Sequence, residues 1–265
     1  MTDLGAFNVS TFAGGHNNLN IVKGIPAHAS ATSVAAASTS TNRPLSWDNS
    51  SSVLQLLYPA HSINPAKKPQ GGAQFYASPL DIAEAKNITL QYSVFFPVDF
   101  DWVLAGKLPG IYGGRTGCSG GDSALDCFST RLMWRRGGSG ELYMYVPKDK
   151  QSRALCFHPQ SVCDTAYGFS IGRGSFKWAR GTWTTVQQSI ALNTPGKRDG
   201  SFALDVNGKR VIERHDIYYR GVPQRFSRYR RDRSMSTFFG GHDPKYATPR
   251  DQYVWFKDFA ISHNG

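Results

Sequence analysis

An all-β fold, a β-jelly-roll sandwich of two antiparallel sheets with a concave groove, is what the sequence predicts. Three observations carry this. From about residue 73 the dominant signal is alternation of apolar and polar residues with period two, the mark of half-buried strands. The alternating segments are short and separated by turn residues, and the 265-residue chain holds 27 Gly and 14 Pro. Helical patterning is almost absent. Many short strands with few helices indicate a sandwich or barrel, and polar residues on the non-core faces give one sheet a wet surface.

The elements follow in order. "AHASATSVAAASTSTNRP" (27–44) is small, polar and without convincing periodicity, and reads as a linker or surface-draped arm, with an Ala-rich helix, weakened by its Ser and Thr interruptions, as the alternative. Residues 1–72 are expected to form an N-terminal arm and strands packed on or leading into a main domain at 73–265. "SPLDIAEAKN" (78–87) reads as a helix, with Ser78 as N-cap and Pro79 at the first helical position. In "NITLQYSVFFP", Ile88, Leu90, Tyr92, Val94 and Phe96 share the core face, and Thr89, Gln91 and Ser93 the polar one. "WTTVQQSIALN" repeats this, with Val186, Ile190 and Leu192 inward. "SFALDVNGKRVIE" carries Asn207-Gly208 between two runs, a type I′ hairpin signal. "DQYVWFKDFAIS" reads as a further strand.

Lys and Arg (30) outnumber Asp and Glu (19), giving a net charge of +11 and a surface field that favours polyanions. Nucleic acid, an anionic membrane surface and an acidic polysaccharide all satisfy that condition. No apolar run reaches the length of a membrane span. The four cysteines fall as close pairs, Cys118 with Cys127 and Cys156 with Cys163, without the spacing of a zinc knuckle. Two local disulfides are the simplest reading, although four cysteines permit three connectivities. Together with acceptor triplets at Asn8, Asn49 and Asn87 they favour a secreted, extracellular chain. "MTDLGAFNVS" shows no signal-peptide pattern, so a secreted chain is expected to have lost its leader before this numbering begins.

The densest chemistry lies in "CFSTRLMWRRGGSGELYMYVP" (127–147), two strands joined by a glycine turn. Phe128, Leu132 and Trp134 alternate with Ser129, Arg131 and Met133. Leu142, Met144 and Val146 alternate with Glu141, Tyr143 and Tyr145. If the apolar sets face the core, an arginine, a serine and two tyrosines face outward together. Pairing Arg135 with Glu141 puts Arg131 opposite Tyr145, with Cβ atoms roughly 5 Å apart. Upstream, Lys107 sits in "GKLPG", a glycine-flanked stretch read as a tightly shaped loop.

"GKLPG", "GCSGG", "CFSTRLMWR", "GELYMYVP", "SIGRGSF" and "STFFGG" together resemble polysaccharide lyase family 14, a family of alginate and glucuronate lyases built on a β-jelly roll. The resemblance runs from about residue 75 to the C-terminus. It implies that Lys107, Arg131 and Tyr145 are catalytic and that Ser129 and Tyr143 bind substrate. It implies an acidic polyuronate as the partner, cleaved by β-elimination to leave 4,5-unsaturated ends. Apart from the resemblance, Gln91 on a polar strand face is a further candidate substrate contact, and Arg173 in "SIGRGSF" either lines the groove or lies outside it.

The chemistry accounts for the residue types. Elimination removes the C5 proton and expels O4, and a cation on the uronate carboxylate stabilises the developing enolate. Arg131 offers a bidentate fork for that group. Tyr145 is read as the base and also as a candidate acid, with Lys107 its partner; the reverse order stays open. Lys, Tyr and Arg can perform the reaction without a metal, so no cofactor is implied, and His158, His215 and His242 are too scattered to suggest a metal site. A monomer is expected, with neither nucleic acid nor membrane as partner.

Arg214, Arg220, Arg225, Arg228, Arg230, Arg231 and Arg233, interleaved with tyrosines, form a candidate rim for gathering acidic sugars, or a solvated loop. Three rivals differ in what they require. A non-catalytic jelly-roll carbohydrate-binding protein shares the groove but needs no convergence of Lys107, Arg131 and Tyr145. A glycoside hydrolase needs paired carboxylates, and no such cluster stands on an alternating strand. A nucleic-acid binder explains the charge but leaves the hairpin unexplained.

Overall fold

The computed structural model describes residues 3–29, 51–82, 85–115, 117–157, 160–163, 166–221 and 233–264. Its strands are β1 (Val9–Gly14), β2 (Leu19–Lys23), β3 (Ser52–Tyr58), β4 (Ala73–Ala77), β5 (Asn87–Phe95), β6 (Ala105–Gly114) and β7 (Cys127–Arg135). They continue with β8 (Ser139–Tyr145), β9 (Phe169–Lys177), β10 (Trp183–Ala191), β11 (Gly200–Val206), β12 (Lys209–Ile217), β13 (Arg233–Phe239) and β14 (Gln252–Asn264). Two seven-stranded antiparallel sheets result, ordered β1-β4-β13-β6-β7-β8-β9 and β12-β11-β10-β5-β14-β3-β2. The first 72 residues supply strands to both: β1 pairs with β4, and β3 with β14.

The alternation read from the sequence is the alternation of the core. Ile88, Leu90, Tyr92, Val94 and Phe96 all belong to the main buried cluster, with Val186, Ile190 and Leu192 beside them. Asn207 (φ 49°) and Gly208 (φ 78°) form the two-residue turn between β11 and β12, both in the left-handed region that a type I′ turn requires. Residue 188 breaks the pattern. Gln188 is fully buried, and its amide donates to the Pro109 carbonyl at 3.1 Å, as does the Tyr92 hydroxyl at 3.1 Å. The β6–β7 ladder is irregular between Leu108 and Gly110. Two side chains from the opposite sheet therefore satisfy a carbonyl at that bulge, which would be costly to bury unpaired.

One expectation fails here. The described residues of the segment 78–86 form bends and irregular chain, with no helix among them; Ala83 and Glu84 lie outside the description. Ile82 is instead buried in the core and Leu80 packs against it, so tertiary burial overrides the local propensity. The arm at 27–44 falls largely outside the described residues.

Candidate active site

The functional face is the outer side of the first sheet, and its floor is a grid set by strand register. One row across β13, β6, β7 and β8 reads Phe238, Lys107, Met133, Glu141. The next reads Gly110, Arg131, Tyr143, continuing to Ser170 on β9. A third reads Tyr112, Ser129, Tyr145.

Arg131 therefore faces Tyr143, and Tyr145 faces Ser129, two residues away from the expected register. The reason lies in the turn: the ladder ends at Trp134–Gly140, and residues 136–138 fold as a single 3-10 turn. Arg135 and Glu141 do meet, but as a side-chain ion pair. A two-residue slip keeps every side chain on its expected face, so the outward set survives the error.

Lys107 lies within β6, a strand where the sequence suggested a loop. The glycine before it is required by packing: a Cβ on Gly106 would sit 1.8 Å from Cζ2 of Trp134. The Trp134 ring thus fills the space behind the lysine, anchored by its Nε1 donating to the Trp102 carbonyl at 3.1 Å.

Lys107, Arg131, Arg135, Met133, Tyr143 and Tyr145 all line one cavity of about 710 Å³. The Lys107 Nζ lies 4.3 Å from the centre of the Tyr143 ring, and the Tyr143 and Tyr145 rings are 5.8 Å apart, edge to face. The Arg131 guanidinium lies 5.7 Å from the Tyr145 ring and 5.7 Å from that of Tyr112. Burial, reinforced by the Arg131 and Arg135 cations, holds the Lys107 amine well below the usual lysine range; Glu141 opposes this. Burial also pushes the Tyr143 phenol up, helped by Tyr145 and its hydrogen bond with it. Arg131 is only 2% exposed, yet its Nε and Nη2 have no hydrogen-bond partner. A buried, unpaired guanidinium is expensive, and Arg131 is among the residues that line the cavity.

Glu141 is fully buried. It accepts from Arg135 Nε (2.8 Å) and Nη2 (2.5 Å), Arg173 Nε (2.8 Å) and Ser170 Oγ (2.6 Å). Sequence reading saw only a cross-turn partner in this residue. Its alternating position on β8 beside two tyrosines was the available signal for a larger role.

Three expected contacts are placed elsewhere. Ser129 is fully buried and its hydroxyl donates to the Cys118 carbonyl at 2.9 Å, so it anchors a loop. Arg173 is committed to Glu141 and does not line the cavity. Gln91 pairs with Gln187 on the outer face of the second sheet, with the whole core between it and the cavity. Period-two alternation cannot say which of two sheets a polar face belongs to.

Disulfides join Cys118 to Cys127 and Cys156 to Cys163. The first ties down the loop that contributes Ser119 and Gly120 to the cavity, and the Gly121 N–H donates to the Tyr145 hydroxyl at 3.2 Å. Cys118, Asp122 and Cys127 are the one group among the described residues with clustered metal-ligand atoms, but both sulfurs are spent in the disulfide. Of the expected basic rim, Arg220 donates to the Asn193 carbonyl and Arg214 lies 3.6 Å from Asp216; Arg225, Arg228, Arg230 and Arg231 lie outside the described residues. His158 is likewise undescribed, His215 sits on β12, and His242 lines the cavity.

The family model for polysaccharide lyase 14 matches residues 46–259, most of the chain. The chain belongs to polysaccharide lyase family 14. Among solved structures, the marine PL-14 alginate lyase from Aplysia kurodai superposes with a TM-score of 0.76 at 28% identity, over 98% of this chain and 93% of that one. A double variant of alginate lyase Aly36B, with alanine in place of a lysine and a tyrosine and alginate tetrasaccharide bound, shares the fold. Its TM-score is 0.65 at 21% identity, over 93% of this chain and 97% of that one. Exolysin of Paramecium bursaria Chlorella virus 1 is 27% identical over 144 residues, which is 47% of this chain but only 22% of that protein. This chain thus matches about a fifth of the length of that curated relative. Across the family-matched region stand all five residues that the sequence motifs single out, Lys107, Ser129, Arg131, Tyr143 and Tyr145.

Proposed function

We propose that this family 14 chain is a polyuronate lyase that cleaves alginate- or glucuronan-type chains by β-elimination. The observation that carries the reading is Arg131: a buried guanidinium with two unpaired nitrogens, in the same cavity as a lysine of depressed pKa and a tyrosine hydroxyl. A uronate carboxylate supplies what Arg131 lacks. Two charge-assisted hydrogen bonds would then hold the group that must carry enolate charge as C5 is deprotonated.

The depressed amine favours one order of proton transfer over the other. A lysine whose pKa is depressed by burial and by neighbouring cations can accept the C5 proton at a lower pH than an ordinary lysine. We therefore assign Lys107 as base, reversing the first assignment. Its nitrogen takes the proton, the C5–H pair becomes the C4=C5 bond, and the C4–O4 bond breaks. Tyr145 delivers its proton to O4. The Gly121 N–H points at the Tyr145 oxygen, holding the phenol in place while its own hydrogen stays free to be donated. Tyr143, whose phenol burial keeps protonated, and Met133 form the floor under the sugar. The paired cysteines and the exposed Asn8 and Asn87 favour action outside the cell.

The test is incubation with polyglucuronate, polymannuronate and polyguluronate while following the ultraviolet absorbance of unsaturated uronate ends. Growth on at least one polymer, abolished in Lys107→Ala and Tyr145→Phe with the fold intact, is the expected result. Binding of a polymer with no absorbance change on any of the three would leave a carbohydrate-binding protein instead.

A further inference from the structure

We propose that Tyr167 and His242 form a latch roofing the catalytic floor, so that a bound chain lies in a tunnel, and that this pair sets whether internal bonds can be reached. The inference rests on the lyase reading above. The two rings are stacked, with centroids 5.1 Å apart and planes at 24°, and both residues line the cavity that holds Lys107, Arg131 and Tyr145.

Their loops come from opposite ends of the strands. His242 follows β13, where the Gly240 N–H donates to the Ala105 carbonyl at 2.9 Å, beside the start of β6. Tyr167 precedes β9, whose Phe169 pairs with Met144 near the end of β8. Three strands, β6, β7 and β8, separate β13 from β9 in the sheet. At roughly 4.8 Å per strand spacing, the roots of the two loops are far apart, yet their tips touch. The contact therefore spans the floor, and sheet below with rings above closes a loop around the cavity.

The two arms are anchored differently. On the His242 side, Asn64 Nδ2 donates to the Gly241 carbonyl at 2.8 Å, and the Asp243 carboxylate caps the following turn through the Lys245 N–H at 3.0 Å. The Tyr167 arm packs on the disulfide-bound loop, where a Cβ on Gly121 would lie 3.9 Å from its ring. Both rings are solvent-exposed, and an exposed aromatic stack adds only about 0.5–1.5 kcal/mol beyond the area it buries. Interior segments of a long chain can enter only when it parts, whereas a chain end can thread beneath it.

The experiment replaces both residues by cysteine (Tyr167→Cys with His242→Cys) and bridges them with a short bifunctional maleimide, the native disulfides remaining intact. Mass spectrometry confirms the bridge, and the unbridged variant is the control for folding. Viscosity of a long polyuronate and unsaturated ends from short oligomers are read side by side. The bridged enzyme is expected to lose at least tenfold in viscosity reduction while cleaving oligomers within about twofold of the unbridged form. Equal viscosity reduction by both forms overturns the latch, and loss of oligomer cleavage as well overturns the tunnel. Failure of the lyase reading itself would show differently, as no unsaturated product from the wild-type chain.

Discussion

Replacing Arg131 by methionine should make the protein more stable and nearly inactive. In the free protein the guanidinium is 2% exposed with Nε and Nη2 unpaired. Each buried unsatisfied donor costs about 1–3 kcal/mol, so removing two relieves about 2–6 kcal/mol. Against this stand the contacts with the Tyr112 and Tyr145 rings, about 0.5–2 kcal/mol each. Taken at matching ends of the two ranges, the net is a stabilisation of about 1–2 kcal/mol, in line with apolar replacement of other buried charges. At about 2–4 °C per kcal/mol for a chain near this size, Tm should rise by about 2–8 °C. The same change removes the carboxylate receptor and should lower kcat by about 10²–10³. Urea or thermal unfolding gives the first number and absorbance at saturating polyuronate the second. A lower unfolding midpoint would show that Arg131 is a structural ion, and a rate near wild type would remove it from the chemistry.

Four further outcomes are expected. In Lys107→Met, product formation should be lost, and so should part of the pH dependence of stability. Because folding depresses the lysine, the unfolded chain binds more protons below its pKa of about 10.4, so wild-type stability climbs as pH rises toward that value; the variant's Tm should climb less between pH 7 and 10. Glu141→Gln should cost about 1.5–3 kcal/mol in unfolding free energy, since it leaves the partly exposed Arg135 and Arg173 beside a neutral group. The Glu141 charge raises the Lys107 pKa, so its loss should also move the acidic limb of the kcat profile to lower pH. Opening the first disulfide with Cys118→Ser and Cys127→Ser should cost about 2–3 kcal/mol for so short a loop. Activity measured well below the unfolding temperature should fall too, because the loop carries the Gly121 N–H that meets Tyr145. Gln91→Ala should leave both kcat and KM unchanged, as kinetics on a defined oligomer will report.

How far the sequence could be read follows from what alternation encodes. Period two fixes which residues of a strand share a face, so Arg131, Tyr143 and Tyr145 were correctly grouped although the assumed register was two residues off. It does not fix which sheet the strand joins. Gln91 looked as eligible for the groove as Tyr143, and β5 carries it on the far side of the molecule. Lys107 was found by its flanking glycines and misread as a loop residue. Of these, Gly106 marks the close approach of Trp134, a contact 28 residues away in the chain that no local pattern carries.

The sequence by itself determined the sandwich, the hairpin turn at Asn207-Gly208, the disulfide partners' proximity along the chain and the chemical types gathered on β7 and β8. These depend on periodicity and on φ preferences, which act over a few neighbouring residues. Only the tertiary structure decided that Ser129 ties a loop, that Glu141 clamps two arginines, that burial beside Arg131 and Arg135 depresses the Lys107 amine, and that Tyr167 meets His242. Each depends on segments distant in sequence arriving at one place. The electrostatic energy of a buried charge is set by everything around it, and almost none of that is adjacent in the chain.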